Sequence, residues 1–149
     1  MLKQAQEIAA SLDVADRVRF LGAQPHDEVK ALLRRAHVFV LPSVTPSDGD
    51  MEGVPVALME SMACGLIVVS SRHSGIPELI KDRVEGFLSD EHDDAALARD
   101  IAWIADNHPA CEKVTRAARA KIEREFDRHD LHVNLAQRLE RVVRDARSA

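Results

Sequence analysis

The sequence is poor in aromatic residues, in cysteine and in net positive charge, and each shortage argues against a class of function. Tyrosine is absent and aromatic residues make up only 3% of the chain, too few for a platform that stacks single-stranded nucleic acid. The net charge of −5 gives no general attraction to nucleic acid or to an anionic membrane. The two cysteines, Cys64 and Cys111, lie far apart and match no zinc-binding spacing, which indicates reduced thiols in a cytoplasmic protein.

The sequence also lacks the patterns of a membrane span and of a metal site. No apolar run reaches transmembrane length, and the first residues do not form a signal peptide. The seven histidines are scattered, and Asp48 and Asp50, which flank Gly49, are interpreted as residues that shape a loop. We therefore expect no metal and no cofactor. The expected location is the cytoplasm, with a peripheral association with the inner membrane left open.

The 149 residues fit one globular domain, in which strands and helices alternate. Helices are predicted at residues 2–12, 26–36 and 55–64, with a short helix within 74–80. Strands are predicted at residues 17–21, 38–41, 66–70 and 86–88, and the runs at 38–41 and 66–70 are apolar without alternation, as in strands buried on both faces. We expect residues 1–92 to form an α/β core and residues 93–149 to be helical. The fold class is then a doubly wound, Rossmann-like parallel sheet with ligand at the carboxyl ends of its strands.

The most distinctive segment follows the long loop after residues 38–41. Pro55 suits the first position of a helix, and the next amides, on Val56 and Ala57, then point out of the helix start without partners. Such a helix start attracts anions, phosphate above all. Glu52 before the helix and Glu60 within it carry carboxylates, which accept hydrogen bonds from hydroxyl groups. The segment therefore predicts a site for a sugar nucleotide.

Each carboxylate also has a structural interpretation. Glu52 could serve as a partner of the helix dipole, because negative charge is favoured before a helix. Glu60 is predicted to lie in a helix that is buried nearly all round, where an ionised side chain needs a salt bridge or a solvent-filled cleft. A generic flavodoxin-like interaction domain is a further interpretation of the fold, although no specific feature favours it.

A set of short motifs makes the sequence similar to a known family. In chain order they are Val18-Arg19-Phe20-Leu21-Gly22, His37-Val38-Phe39-Val40-Leu41-Pro42-Ser43, Glu52-Gly53-Val54-Pro55 with Glu60-Ser61-Met62-Ala63-Cys64-Gly65, Val68-Val69-Ser70, Gly75-Ile76-Pro77-Glu78-Leu79-Ile80 and Gly86-Phe87-Leu88. The sequence resembles the C-terminal, donor-binding domain of the GT-B glycosyltransferases of the "group 1" family (family 4), which are retaining enzymes. The Asp-Gly-Asp-Met run before Glu52 is most similar to bacterial exopolysaccharide or colanic-acid-type transferases.

The resemblance implies roles for individual residues. Glu52 would contact hydroxyls of the donor sugar near the reacting face, as the catalytic residue, and Glu60 would accept hydrogen bonds from the ribose hydroxyls. Gly22 would border the nucleotide base. The sugar and β-phosphate would be held by the remaining donor-binding residues, Gly53, Val54, Pro55, Val56 and Ala57. For Glu78 we expect a structural role, as a cap or a salt bridge at a short helix start.

The resemblance also shows which parts of the family's enzymes we do not find in this sequence. The N-terminal acceptor domain and the first two strands of the donor domain, with basic residues for the diphosphate, have no match. The absent strands would lie between residues 17–21 and 38–41, so the sheet closes differently, leaves a gap or borrows strands from a partner. Open sheet edges would then allow a homo-oligomer.

The expected function is that of a hexosyltransferase fragment in polysaccharide or glycan biosynthesis. Its partners would be a nucleoside-diphosphate (NDP) sugar donor and an acceptor glycan or lipid-linked sugar, and not nucleic acid. The isolated chain would bind its donor weakly and would not turn it over. The alternative is a noncatalytic nucleotide-sugar-binding module or partner subunit, and the sequence leaves open the sugar, base, acceptor and linkage.

Overall fold

The computed structural model describes residues 2–46 and 53–148. The helices are α1 (Leu2–Ser11), α2 (His26–Leu33), α3 (Val56–Ala63), α4 (Ile76–Leu79), α5 (Asp94–Asp106), α6 (Glu112–Glu125) and α7 (Arg128–Ser148), and the strands are β1 (Val38–Leu41), β2 (Ile67–Ser71) and β3 (Phe87–Ser89). Short 3₁₀ helices cover Ala15–Arg17 and His108–Cys111. The chain divides into two compact units, Met1–Leu32 and Leu33–Ala149.

The second unit is built on a parallel sheet in the order β1-β2-β3. Val38 of β1 pairs with Ile67 of β2, and Val69 of β2 pairs with Phe87 of β3, both in parallel register. All five residues of β2 are buried, as the apolar run at 66–70 predicts. Parallel strands need crossover connections, which helices supply here as expected for an α/β fold.

Helices cover both faces of β2. Val68 packs on one face in a cluster that includes Leu58 and Met62 of α3, and Val69 packs on the other face with Ile104 of α5. Successive residues of a strand point to opposite faces, so one buried strand serves two hydrophobic clusters. The expected α/β architecture with helices on both sides of a parallel sheet is confirmed.

The strand predicted at residues 17–21 is wrong. The chain forms a 3₁₀ helix at Ala15–Arg17, and residues 18–21 have no regular secondary structure. Val18 has extended backbone angles, and its side chain and those of Phe20 and Leu21 are exposed. A β-strand is defined by hydrogen bonds to a neighbouring strand, and within residues 2–46 and 53–148 no strand pairs with this segment. The apolar pattern therefore identified an extended segment without its partner.

The prediction that β1 is buried on both faces is also wrong. Within the described part of the chain β1 pairs only with β2 and is an edge strand, and its Val40 is 38% exposed. Val38, on the same face of β1, packs against the cluster of Ile67, Val69 and Ile104 but is only partly buried. The apolar composition of a strand does not reveal which neighbours cover it.

The helices after residue 93 form as predicted, although α2 ends at Leu33 rather than at residue 36. The apolar side chains that predicted the last helix are exposed in α7, namely Leu131, Leu135, Leu139 and Val142. No helix in the parts of the chain that the structure describes combines the length and apolar character needed to cross a membrane.

We expect Gly86→Ala to destabilise the second unit. A Cβ atom at Gly86 would lie 2.6 Å from Val68 Cγ2 and 2.9 Å from the Val68 carbonyl oxygen, just before the first residue pair of β2 and β3. Such overpacking costs about 1–3 kcal/mol of the free energy of unfolding, measured by urea denaturation. Gly53→Ala is the matched control, because a Cβ there meets no atom within 4 Å. Equal stabilities of the two variants would contradict the prediction.

Candidate functional site

The start of helix α3 is the centre of the predicted site, and its geometry differs in one detail from the prediction. Pro55 has φ −64° and ψ 124° and is the N-cap residue rather than the first helical residue. Its carbonyl oxygen accepts a hydrogen bond from the Leu58 amide at 3.1 Å. The expectation that Pro55 opens the helix at its first position is therefore wrong by one residue, because its ψ angle is extended and only its φ is helical.

This shift leaves the two predicted amides at the helix start. Val56 and Ala57 are the first two residues of α3, and both are exposed. Pro55, as N-cap residue, has no side-chain oxygen that could accept hydrogen bonds from them. Uncapped amides at an exposed helix N-terminus form a site of positive potential that favours anions.

Glu60 lies on the exposed side of α3. The helix is buried only through Leu58, Ser61 and Met62, so the expectation of burial nearly all round is wrong. Val56, which is 62% exposed, precedes Glu60 by four residues, and residues four apart share a helix face. Glu60 itself is half-buried at the edge of this face. Its carboxylate therefore lies on the same side of the helix as the exposed start.

Gly75 brings the loop after β2 against the segment that leads into α3, a contact that the sequence analysis missed. A Cβ atom at Gly75 would lie 3.1 Å from Val54 Cγ2 and 3.3 Å from the Val54 amide nitrogen. Glycine therefore allows a close approach that a larger residue would push apart. The Gly75-Ile76-Pro77 motif carried this signal, but a motif does not name the surface it packs on.

Three polar side chains that the sequence analysis also missed meet at the carboxyl ends of the strands. Glu91 Oε2 accepts a hydrogen bond from the Thr45 amide at 2.7 Å, and Glu91 Oε1 accepts one from the Thr45 hydroxyl at 3.1 Å. His73 Nδ1 lies 2.9 Å from Glu91 Oε1. We call these three residues the carboxylate clamp. The available signal was a polar residue two to four positions after each of three neighbouring strands.

The clamp also has an electrostatic consequence. The backbone hydrogen bond from Thr45 lowers the pKa of Glu91 from its ordinary value, and the hydrogen bond from His73 lowers it further. Both groups donate to the carboxylate and so favour its charged form. The clamp therefore favours the ionised form of Glu91.

Serine hydroxyls tie the first two strands together beyond their backbone pairing. Ser70 Oγ donates to the Leu41 carbonyl oxygen at 2.6 Å, and Ser71 Oγ donates to the Ser43 carbonyl oxygen. Both serines are buried, so these hydrogen bonds satisfy groups that water does not reach. The chain therefore follows β2 for two residues past the end of β1.

Of Glu52, Gly22 and Glu78, only Glu78 lies within the described part of the second unit. Glu52, the predicted catalytic residue, lies outside the described residues, and Gly22 lies in the first unit with φ +65°. Glu78 is exposed in the first turn of α4, and its carbonyl oxygen accepts a hydrogen bond from Lys121 Nζ at 2.7 Å. Among the residues that the structure describes, no group of three His, Cys, Asp or Glu side chains could hold a metal ion.

Two cavities of the second unit lie away from the predicted residues. One of about 370 Å³ lies at the amino ends of β1 and β2, beside His37 and His108, whose rings meet edge to face at 5.6 Å. The other, of about 120 Å³, lies at the carboxyl ends beside Ser43, Ser71 and Ser89. Neither cavity is lined by residues 53–60.

Comparison with known proteins identifies the family. The sequence model of the family "Glycosyl transferases group 1" matches residues 1–121. The chain belongs to the group 1 glycosyl transferases. This membership confirms the family that the motifs indicated, and it covers both compact units.

Curated members of the family are similar over nearly the whole chain. The amylovoran biosynthesis glycosyltransferase AmsK of Erwinia amylovora is 48% identical over 140 residues, which are 94% of this chain and 34% of AmsK. The putative colanic acid biosynthesis glycosyltransferase WcaL of Salmonella typhimurium is 41% identical over 141 residues, 94% of this chain and 35% of WcaL. The chain thus spans about a third of the length of these relatives.

Solved structures share the fold at lower sequence identity. The crystal structure of Alr3699/HepE from Anabaena in complex with UDP matches with a TM-score of 0.83 and 24% identity. The match spans 93% of this chain and 36% of the Alr3699/HepE chain. The C-terminal domain of the group 1 glycosyl transferase LpcC from Francisella tularensis gives a TM-score of 0.71 at 16% identity, over 85% of this chain and 62% of that domain. This group 1 chain therefore has the GT-B type of fold that the resemblance implied.

We expect the clamp to stabilise the chain near neutral pH and to lose this contribution in acid. Because folding lowers the pKa of Glu91 below its ordinary value of 4.5, its stabilising contribution is present above that pH. The contribution is lost as the pH falls through the lower, folded value. The melting temperature of the wild type should exceed that of Glu91→Gln at about pH 7, and the gap should close as the pH falls below 4.5.

The control for this titration is Glu140→Gln, an exposed carboxylate on α7. Its melting temperature should follow that of the wild type at every pH. A gap between wild type and Glu91→Gln that stays constant across the titration would contradict the assignment of the clamp as a charged interaction.

Proposed function

We propose that this chain is the donor-binding part of a hexosyltransferase that uses a nucleoside-diphosphate sugar, with retention at the anomeric carbon, in polysaccharide biosynthesis. One observation carries the proposal. In a member of the group 1 family, the exposed and uncapped start of α3 lies on the same side of the helix as the carboxylate of Glu60. Positive potential and an acceptor side by side suit a ligand that carries both phosphates and hydroxyls.

The amides at the start of α3 would bind the β-phosphate and the sugar. Val56 and Ala57 are exposed residues at the helix start, and Val54 lies just before them, packed against Gly75. When the sugar leaves, the nucleoside diphosphate gains negative charge, and fixed amide dipoles stabilise this charge without rearrangement. Gly53 and Pro55 would contribute by setting the path of the backbone into the helix.

The two carboxylates would bind different hydroxyl groups. Glu60, half-buried one turn into α3, would accept hydrogen bonds from the ribose. Glu52 would contact the donor sugar as the catalytic residue, and Gly22 would border the base. Hydrogen bonds from hydroxyl groups to a charged carboxylate are stronger than those to a neutral acceptor.

The names of the relatives support the choice of substrate class. AmsK and WcaL are named for the biosynthesis of amylovoran and of colanic acid, and Alr3699/HepE has been crystallised with UDP and with UDP-glucose. We therefore propose an exopolysaccharide precursor, as a glycan or a lipid-linked sugar, as the acceptor, and the rest of the enzyme as the domain that binds it. Uridine diphosphate is the first donor nucleotide to test.

The proposal also includes a location and an assembly. Cys64 and Cys111 are both free thiols, which fits a cytoplasmic protein, with peripheral contact at the inner membrane if the acceptor is lipid-linked. The outer edge of β1 has no partner strand within the described residues, and a homo-oligomer would form there.

Calorimetric titration of the chain with a panel of nucleoside diphosphates tests donor binding. We expect weak binding by the wild type, and a loss of about tenfold or more in affinity for Glu60→Ala, because a hydrogen bond to a charged group contributes about 1.5–3 kcal/mol. Glu78→Ala is the control, since Glu78 is an exposed glutamate at another helix start. A wild type that binds none of the nucleotides would exclude donor binding by this chain.

A chimera tests transfer. This chain would replace the corresponding 140 residues of AmsK, to which it is 48% identical, in an Erwinia amylovora strain that lacks its own enzyme. Restored amylovoran production, lost again in the Glu52→Gln and Glu60→Ala versions, would support the transferase. Nucleotide binding by the chain without any restored production would favour the noncatalytic module instead.

A further inference from the structure

The carboxylate clamp joins the three chain segments that leave the sheet at its carboxyl edge. Thr45 follows β1, His73 follows β2 and Glu91 follows β3. The Glu91 carboxylate accepts hydrogen bonds from the Thr45 amide at 2.7 Å and from the Thr45 hydroxyl at 3.1 Å, and His73 Nδ1 lies 2.9 Å away. An ionised carboxylate only accepts hydrogen bonds, so the imidazole Nδ1–H donates to it.

The three residues of the carboxylate clamp differ in how deeply they are buried. The side chain of His73 is 5% exposed and that of Glu91 is 25% exposed, whereas Thr45 is exposed. The buried imidazole of His73 orients the Glu91 carboxylate. The carboxylate in turn holds the exposed Thr45 through one backbone and one side-chain hydrogen bond. Without Glu91, Thr45 Oγ1 would keep only its 3.3 Å contact with His73 Nδ1.

The same loop also holds the other end of the connection between β1 and α3. Gly75, two residues after His73, packs against Val54, with 3.1 Å from its Cβ position to Val54 Cγ2. The connection is thus attached to the loop after β2 near both of its ends, at Thr45 and at Val54. In the proposed function this connection carries Glu52 and ends at the amides that bind the diphosphate.

We propose that Glu91 is a positioning residue for donor recognition, which fixes the segment after β1 through Thr45 and so sets the approach to the sugar subsite. This role rests on the proposed function, in which Glu52 contacts the sugar whereas α3 binds the nucleotide. Release of Thr45 should therefore weaken binding of the sugar moiety and leave binding of the nucleotide almost unchanged. General unfolding would weaken both alike.

Amide hydrogen exchange on the full chain tests the clamp without any ligand. In Glu91→Gln we expect the Thr45 amide to exchange at least about tenfold faster, while the amide of Val69 in the buried strand β2 keeps its protection. Asp94→Asn, an exposed carboxylate three residues away, should change neither rate. Unchanged exchange at Thr45 in Glu91→Gln would overturn the proposal.

Calorimetry with UDP and with UDP-glucose then tests the link to recognition. Glu91→Gln should lose about tenfold in affinity for UDP-glucose and less than about twofold for UDP. Thr45→Val removes the hydroxyl but keeps the amide, so its affinity for UDP-glucose should fall by less than that of Glu91→Gln. Thr45→Ser keeps the hydroxyl and should bind UDP-glucose as the wild type does.

The outcomes separate the two proposals. Equal losses for both ligands in Glu91→Gln would show a structural role and overturn the positioning role. Binding of neither ligand by the wild type would overturn the proposed function, and the exchange rate of the Thr45 amide would still decide whether Glu91 holds the segment.

Discussion

Burial of strand β2 on both faces is the constraint on which the second unit depends. Every residue of Ile67–Ser71 is buried, and its adjacent residues Val68 and Val69 contribute to two separate hydrophobic clusters. A strand in this position needs neighbours on both edges and helices on both faces, because each of its backbone amides and carbonyls must be paired away from water. The order β1-β2-β3 and the placement of α3 and α5 follow from that requirement.

The same constraint shapes the carboxyl edge of the sheet, where the candidate site is proposed. Parallel strands end at one side of the sheet, so the segments after β1, β2 and β3 emerge together. Ser70 and Ser71, both buried, have hydroxyl groups that need partners, and they find them in carbonyl oxygens of the chain after β1. These buried serine hydroxyls thus extend the contact between β1 and β2 into the segments after the strands. The carboxylate clamp adds further hydrogen bonds between the segments after β1, β2 and β3.

Sequence periodicity and composition predicted most of the second unit. The strands at 38–41, 66–70 and 86–88 and the helices after residue 93 all form, with shifts of a residue or two, because long apolar runs and helical spacing are local signals. The segment at 17–21 failed for a reason that no local pattern reveals, since a strand exists only with a partner. The burial of β1 and of α3 failed in the same way, because exposure is decided by what packs against an element.

Parts of the candidate site that depend on local sequence could be predicted, and parts that depend on the fold could not. The start of α3 could be predicted, because a proline before an apolar helix indicates both the helix start and an N-cap residue without a capping side chain. The clamp could not, since Thr45, His73 and Glu91 are 28 and 18 residues apart in the chain and only the fold brings them together. Likewise, no sequence pattern indicates that Gly75 faces Val54.

The short interval between His73 and Gly75 limits how this region can change. His73 contacts Thr45 in the clamp, and Gly75 packs on Val54. The two-residue separation of His73 and Gly75 therefore sets the distance between these two contacts. An inserted or deleted residue at Ser74, whose φ of +47° already marks a tight bend, would move one attachment away from the other. The length of this loop is therefore constrained together with the two residues that it separates.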